Sequence, residues 1–332
     1  MRTRSKRISL AVAALAVVGV PLLAPAASLT LTPAGVAQGL SLTTFATGFP
    51  LGTLSEGPLG IAFPTTGGVL VTDNPGNVRL FPTDTDGQNV VNAPIGQNYG
   101  SENAVGLAQV GSNIYMTQYL AGSLVQINNN GTLNQTIVTG FSLSDGIIAD
   151  PFNGHLFVSS SGNGIIYDVD PIAKTKTPFV SLVSDGLSLS PDGGILYAAI
   201  VGGASNGHIL GFNISSKAQV YDSGFIPGGI DGTAAGTGLF AGLIFVNTNS
   251  GTVYEVTLGS NPVQTLIASG GSRGDSVTVD PLTNTLLLTQ TDSIIRLNGA
   301  SFVTVPEPAS LMSLSLGLAM IAGVAWRRRC AA

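Results

Sequence analysis

Ser184-Asp185-Gly186-Leu187-Ser188-Leu189-Ser190-Pro191-Asp192-Gly193-Gly194-Ile195-Leu196-Tyr197-Ala198 holds the pattern on which the fold turns. A short apolar strand starts behind an acid-glycine pair, stops at a Ser-Pro-Asp-Gly turn and returns as a strongly apolar strand. Proline presets φ for the turn and glycine takes its left-handed position. The same opening recurs every 40–46 residues at Gly60, Gly106, Gly146, Gly186, Gly232 and Ser276. Second strands follow at Val69-Leu70-Val71-Thr72, Ile114-Tyr115-Met116-Thr117, Leu156-Phe157-Val158-Ser159, Ile195-Leu196-Tyr197-Ala198, Leu243-Ile244-Phe245-Val246 and Leu286-Leu287-Leu288-Thr289. Third strands start at Val78, Leu124, Ile165, Ile209, Val253 and Ile294, and a more polar fourth strand closes most units, as in Gln135 to Phe141.

Internal repeats of this length mean a solenoid, propeller or array. Six units of four strands predict an all-β fold, a six-bladed β-propeller, in which each blade covers its faces by packing on its neighbours. The sixth unit lacks a fourth strand of its own. Leu42-Thr43-Thr44-Phe45-Ala46-Thr47-Gly48-Phe49 resembles one, so this N-terminal strand is expected to close the ring and hide two sheet edges.

Composition agrees. The chain has 332 residues, only 9% of them charged, and 44 glycines, a balance suited to short strands and tight turns. The single cysteine, Cys330, excludes an internal disulfide and a Cys-based zinc site. Between residues 28 and 305, seventeen acids face six basic residues, which excludes nucleic acid as a partner.

The two ends read as addresses. Residues 1–27 combine basic Arg2, Arg4, Lys6 and Arg7 with an apolar run from Ile8 to Leu23 and small residues to Ala27, the layout of a signal peptide. Cleavage is expected near Ala26 or Ala27, with Ala37 as the later alternative. Residues 28–40 are expected as a linker and 41–302 as the propeller. Residues 303–310 contain Pro306-Glu307-Pro308, 311–326 are mostly apolar, and 327–332 include Arg327, Arg328 and Arg329. The apolar stretch reads as a single transmembrane helix, short but extended by flanking residues and by arginines that snorkel. The arginines hold that end in the cytoplasm, so the propeller lies outside. This tail resembles the PEP-CTERM sorting signal. The resemblance implies an exosortase-type processing enzyme as partner, first anchorage in the inner membrane, and delivery to the cell envelope, surface or extracellular matrix. An ordinary C-terminal anchor is the competing reading.

Chemistry is expected where the inner strands begin. Asp145, Asp185, Asp231 and Asp275 each precede the repeat's Gly or Ser, while Glu56 and Glu102 take that role in the first two units. First strands line the axis, so all six should converge on one mouth of the channel. Two carboxylates about 8 Å apart repel by roughly 2 kcal/mol at an effective dielectric near 20. A cation must neutralise them, or some must hold protons. Oxygen ligands at an extracellular address favour Ca²⁺. Taken singly, each Asp also reads as ordinary turn chemistry.

Glu56-Gly57-Pro58, Ser184-Asp185-Gly186-Leu187 with Ser190-Pro191-Asp192-Gly193, and Asp231-Gly232 resemble the gluconolactonase-like (senescence-marker) propellers, and the chain also resembles NHL-type propellers. The former implies a divalent metal held by Glu56, Asp185 and Asp231, with Glu102, Asp145 and Asp275 as secondary candidates and Asp185 or Asp231 as catalytic candidates. Asp185 stands where the family has Asn, Ser144 stands at its substrate-contacting Asn, and Gly60 replaces its aromatic. His155 and His208 have no obvious partner in the sequence and read as surface turn residues. Asp84-Thr85-Asp86-Gly87 reads as a plain turn rather than a calcium loop, since the closing Glu is missing.

Two functions follow. The first is a binding or structural module of the envelope or exopolysaccharide matrix, with a polysaccharide or protein ligand. The second is a metal-dependent lactonase-like hydrolase. The module is preferred because few catalytic groups are present and fold does not fix function.

Overall fold

The structure, a computed structural model, describes residues 28–52, 56–236 and 240–299. The expected signal peptide, sorting motif, apolar helix and arginine tail lie outside the described residues. Among the described residues no helix is long and apolar enough to cross a membrane.

The chain opens with β1 (Thr30–Leu31), α1 (Pro33–Ala37) and β2 (Ser41–Thr47). Blade one follows with β3 (Pro58–Ala62), β4 (Val69–Asp73), β5 (Asn77–Phe81), the short β6 (Gln88–Asn89) and β7 (Ile95–Asn98). Blade two is β8 (Leu107–Val110), β9 (Asn113–Gln118), β10 (Ser123–Ile127) and β11 (Leu133–Thr139). Blade three is β12 (Ser144–Ala149), β13 (Leu156–Ser160), β14 (Ile165–Asp170) and β15 (Thr175–Ser181). Blade four is β16 (Ser184–Leu189), β17 (Ile195–Ile200), β18 (Ile209–Asn213) and β19 (Gln219–Asp222). Blade five is β20 (Ile230–Ala235), β21 (Leu243–Thr248), β22 (Val253–Thr257) and β23 (Gln264–Ser269), and blade six has β24 (Val277–Asp280), β25 (Thr285–Thr289) and β26 (Ser293–Asn298). Each blade is an antiparallel meander numbered from the axis outward.

The expected closure is present. β2 pairs antiparallel with β26, from Ser41↔Asn298 to Thr47↔Ser293, as the fourth strand of blade six. β6 then adds in parallel to the outside of β2, so a loop of blade one also grips blade six. Phe45, Val71, Phe81, Leu287 and Ile294 fill the seam between the two blades, and the rings of Phe45 and Phe81 meet edge to face at 5.4 Å.

Residues 28–40 differ from the linker expected of them. β1 pairs with β23 and gives blade five a fifth strand, while Leu29 and Leu40 join the apolar cluster of blades five and six. The Thr32 hydroxyl caps α1 by accepting from the Gly35 N–H, a favoured helix start. Gln38 at its other end donates to buried Glu255 at 2.7 Å. The remaining oxygens, Gln38 Oε1 and Glu255 Oε2, are buried without a partner.

Inner strands crowd tightly, which explains the repeated glycines. A Cβ on Gly186 would lie 1.8 Å from the Asp231 carbonyl oxygen, and one on Gly146 would lie 2.1 Å from that of Asp185. Second-strand threonines tie the acid-bearing strands into the ring. Thr117 Oγ1 accepts from Gly106 N–H and donates to the Asp145 carbonyl of the next blade at 2.6 Å. Every inner strand therefore runs from one common end, the mouth, to the Pro-rich turns at the other.

Candidate functional site

Glu56, Glu102, Asp145, Asp185 and Asp275 line one axial cavity of about 610 Å³. Its wall below the acids is apolar, with Leu107, Ile147, Leu187, Ala234 and Val277, and Tyr119 stands at the acid level. The convergence expected from the repeat is thus realised for five acids. Asp231 differs: it is buried and reaches the cluster from behind the cavity wall, through Arg273.

Arg273 is the residue the sequence reading missed. Its guanidinium lies 2.6 Å from Glu56 Oε1, 3.0 Å from Asp275 Oδ1 and 3.5 Å from Asp231 Oδ2. Glu56 also accepts from Asn74 Nδ2 at 2.7 Å. The arginine sits in the irregular segment between β23 and β24, and the three acids come from blades one, five and six. Only the closed ring brings them together. One signal in the sequence pointed there: Arg273 is one of only six basic residues between 28 and 305, and it lies two residues before an inner-strand acid.

The fit of a metal can be tested on this donor set. Glu56 and Asp231 both face the same guanidinium, and Asp185 is not joined to them. Among the described residues no group of three or more His, Cys, Asp or Glu side chains is placed to hold a metal ion. The set Glu56, Asp185, Asp231 therefore does not fit a divalent cation as arranged. The Arg273 guanidinium contacts two of these three acids, and a guanidinium matches carboxylates through directed N–H donors.

One arginine does not balance the ring. Burial pushes Asp145 up to about 7, with Asp231, Asp275 and Glu56 adding repulsion. Asp185 is raised well above the ordinary range by burial and then by Asp145 and Asp231. Burial lifts Asp231 and Asp275 to about 6 against the pull of Arg273, and Glu56 is raised by burial and by Asp275. Burial and mutual repulsion thus favour protons on these carboxyls, one of the two solutions open to crowded carboxylates. The mouth offers carboxyls beside one guanidinium whose Nε and one terminal nitrogen are already held by Asp275, Glu56 and Asp231.

Other candidates resolve differently. Ser144 is buried and donates to the carbonyls of Gln118 and Ser123 rather than facing the cavity. The histidines have partners after all: His155 Nδ1 is 2.7 Å from Asp168 and His208 Nδ1 is 2.8 Å from Asp222. Strand pairing supplies both contacts, because β13 and β14, and likewise the approach to β18 and β19, lie side by side. Asp84 and Asp86 sit in a turn but bind Arg296, described below.

The last residues match the family model described as the PEP-CTERM protein-sorting motif, over 304–329. No curated protein matches the chain in sequence. Among solved structures, the gluconolactonase of Xanthomonas campestris is similar at 15% identity and TM-score 0.61, over 82% of this chain and 95% of that one. An auxiliary nutrient binding protein from Bacteroides thetaiotaomicron aligns at 11% identity and TM-score 0.56, over 78% and 76%. A chain of the nidogen/laminin complex aligns at 16% identity and TM-score 0.53, over 66% and 90%. Likeness at such identities concerns the fold alone, and the fold is shared by proteins that catalyse and proteins that bind. The chain is a six-bladed β-propeller with gluconolactonase-like and NHL-type structural neighbours, and its C-terminal PEP-CTERM motif implies export, transient anchorage in the membrane and processing by an exosortase.

Proposed function

We propose that the chain is an exported binding module of the cell envelope, whose ligand enters the axial mouth. The observation that carries this reading is Arg273, seated between Glu56, Asp231 and Asp275. It supplies the positive charge that a lactonase-like site would take from a metal, and a guanidinium cannot polarise a substrate carbonyl by coordination as a metal does. The cavity is large enough for a small ligand or a chain end. Its mixture of protonated carboxyls, carboxylates and the guanidinium can pair with the hydroxyls of a polysaccharide, with Tyr119 as a flat apolar surface beside them.

A calcium titration followed by thermal unfolding, with a lactone hydrolysis screen in parallel, tests the reading. The wild-type chain should show no calcium-dependent shift and no turnover. Arg273→Met, which frees three carboxylates, should acquire a calcium-dependent rise in melting temperature. A calcium shift in the wild type, or lactone turnover lost on Asp231→Ala, would overturn the module in favour of the hydrolase. Soluble polysaccharide fragments that raise the wild-type melting temperature would identify the ligand class.

A further inference from the structure

We propose that the turn end of the propeller rests on a lipid bilayer while the sorting tail is uncut, leaving the acid mouth turned away from the membrane. Three observations converge. The first is where the chain leaves the fold. β26 runs from the mouth to the turn end, since Leu297 pairs with Leu286 and Asn298 with Ser41. Gly299 therefore departs beside the β24–β25 turn, on the face opposite Glu56 and Asp275. The twelve residue-to-residue steps from Gly299 to Leu311 reach at most about 43 Å when fully extended. To face the mouth to the lipid, that segment would have to pass two outer strands and climb the depth of a blade, about 30 Å of the available reach.

The second observation is the distribution of exposed apolar side chains. Phe152, 64% exposed, and Leu282, 61%, tip the inner turns of blades three and six, and Ile172, 83% exposed, tips the outer turn of blade three. Leu133, Ile95, Val220 and Val263 are exposed at the same end, where fourth strands begin, against Leu51, Leu120 and Phe225 at the mouth end. Aromatic and aliphatic tips on a face held near a membrane are suited to the headgroup boundary.

Charge is the third. The acids of the axial cavity gather at the mouth, whereas all three lysines of the described residues lie in the outer strands and turns that start at the turn end. Lys174 shares the turn of Ile172, and Lys217 precedes Val220. Arg296 balances one of the three carboxyl charges of Asp84, Asp86 and Asp280 at this end, and Asp150, Asp170 and Asp192 add to the remainder. Both ends are acidic, but the mouth sets six acids against one arginine, so a bilayer surface meets less uncompensated charge at the turn end.

The full chain, with Cys330→Ser and an environment-sensitive fluorophore attached through either Asn153→Cys at the turn end or Ser101→Cys at the mouth, is inserted into phosphatidylcholine vesicles with headgroup quenchers. The label at 153 should lose at least about half of its emission and the label at 101 less than about a tenth, since strand length sets the mouth about 20 Å further out. Equal quenching, stronger quenching at 101, or none at either position overturns the proposal. Adding Phe152→Asp, Ile172→Asp and Leu282→Asp should bring the two labels to similar quenching. A ratio unchanged by these substitutions would mean that the tether alone sets the orientation and would overturn the docking.

Discussion

Two arginines in this molecule each hold three carboxyl groups, and they do opposite things. Arg296 lies in the seam between blades one and six. It binds Asp280 of its own blade and Asp84 and Asp86 from the blade-one loop, donates to Thr283 and Thr285 at 2.8 Å, and stacks over Phe45 at 5.4 Å. Its side chain is 5% exposed. Arg273 binds Glu56, Asp231 and Asp275 at the mouth, with its side chain 29% exposed and further acids facing it across the cavity. The seam is sealed and its hydrogen bonds are nearly complete. The mouth is open and short of positive charge. Similar pairs of charges give structure in one place and a receptive surface in the other, and the difference lies in access to water.

The largest effect should separate the two in stability. Arg296→Met leaves buried carboxyls unpaired across the closure, and urea unfolding should show a loss of about 3–5 kcal/mol. Arg273→Met should cost less, because the raised carboxyls around it can take up protons. Equal losses would erase the distinction.

The pH dependence sharpens it. At the mouth Asp145, Asp231 and Asp275 have folded values of about 6 to 7, above those of the unfolded chain, so the folded state holds more protons. Their effect is to lower stability as pH rises from about 4 through 7, with no further change above. At the seam burial raises Asp84 to about 6 as well, whereas Asp280 is lowered, burial working against hydrogen bonds from Thr283, Asp84 and Arg296, so the contribution of Asp280 is lost only in acid. Melting temperature should be higher at pH 5 than at pH 8, and Asp145→Asn with Asp185→Asn should flatten that slope. A slope that survives both substitutions would place its origin elsewhere.

The smallest effect concerns a carboxyl that no guanidinium touches. Burial raises Glu255, and one proton on it would let the acid and the Gln38 amide exchange two hydrogen bonds, satisfying both orphaned oxygens. Glu255→Gln should match wild-type stability at pH 5 and exceed it by about 1 kcal/mol at pH 8. Lower stability at pH 8 would show that Glu255 is ionised and otherwise satisfied.

The blades were legible because each apolar strand is bounded by glycine or proline, and because the missing fourth strand in blade six matched one near Leu42. The five cavity acids were legible because they sit at one position of the repeat. Arg273 and Arg296 were not, since their roles arise from segments far apart in sequence: Arg273 meets Glu56, and Arg296 meets Asp84, only across the closed ring. Residues 28–40 misled because a two-residue strand and a five-residue helix leave no periodic pattern to read.

Closure by β2 also orders events in time. Synthesis makes Ser41–Thr47 early and its partner Ser293–Asn298 last among the described strands, so the opening strand must wait, unpaired, while every other blade is laid down. Long-range pairing of this kind is slow and exposes edges meanwhile. The last partner arrives immediately ahead of the sorting motif at 304. The ring can be completed only when the segment that will be cut is itself emerging, so a truncated or stalled chain would present an unfinished, edge-exposed circle rather than a mature domain.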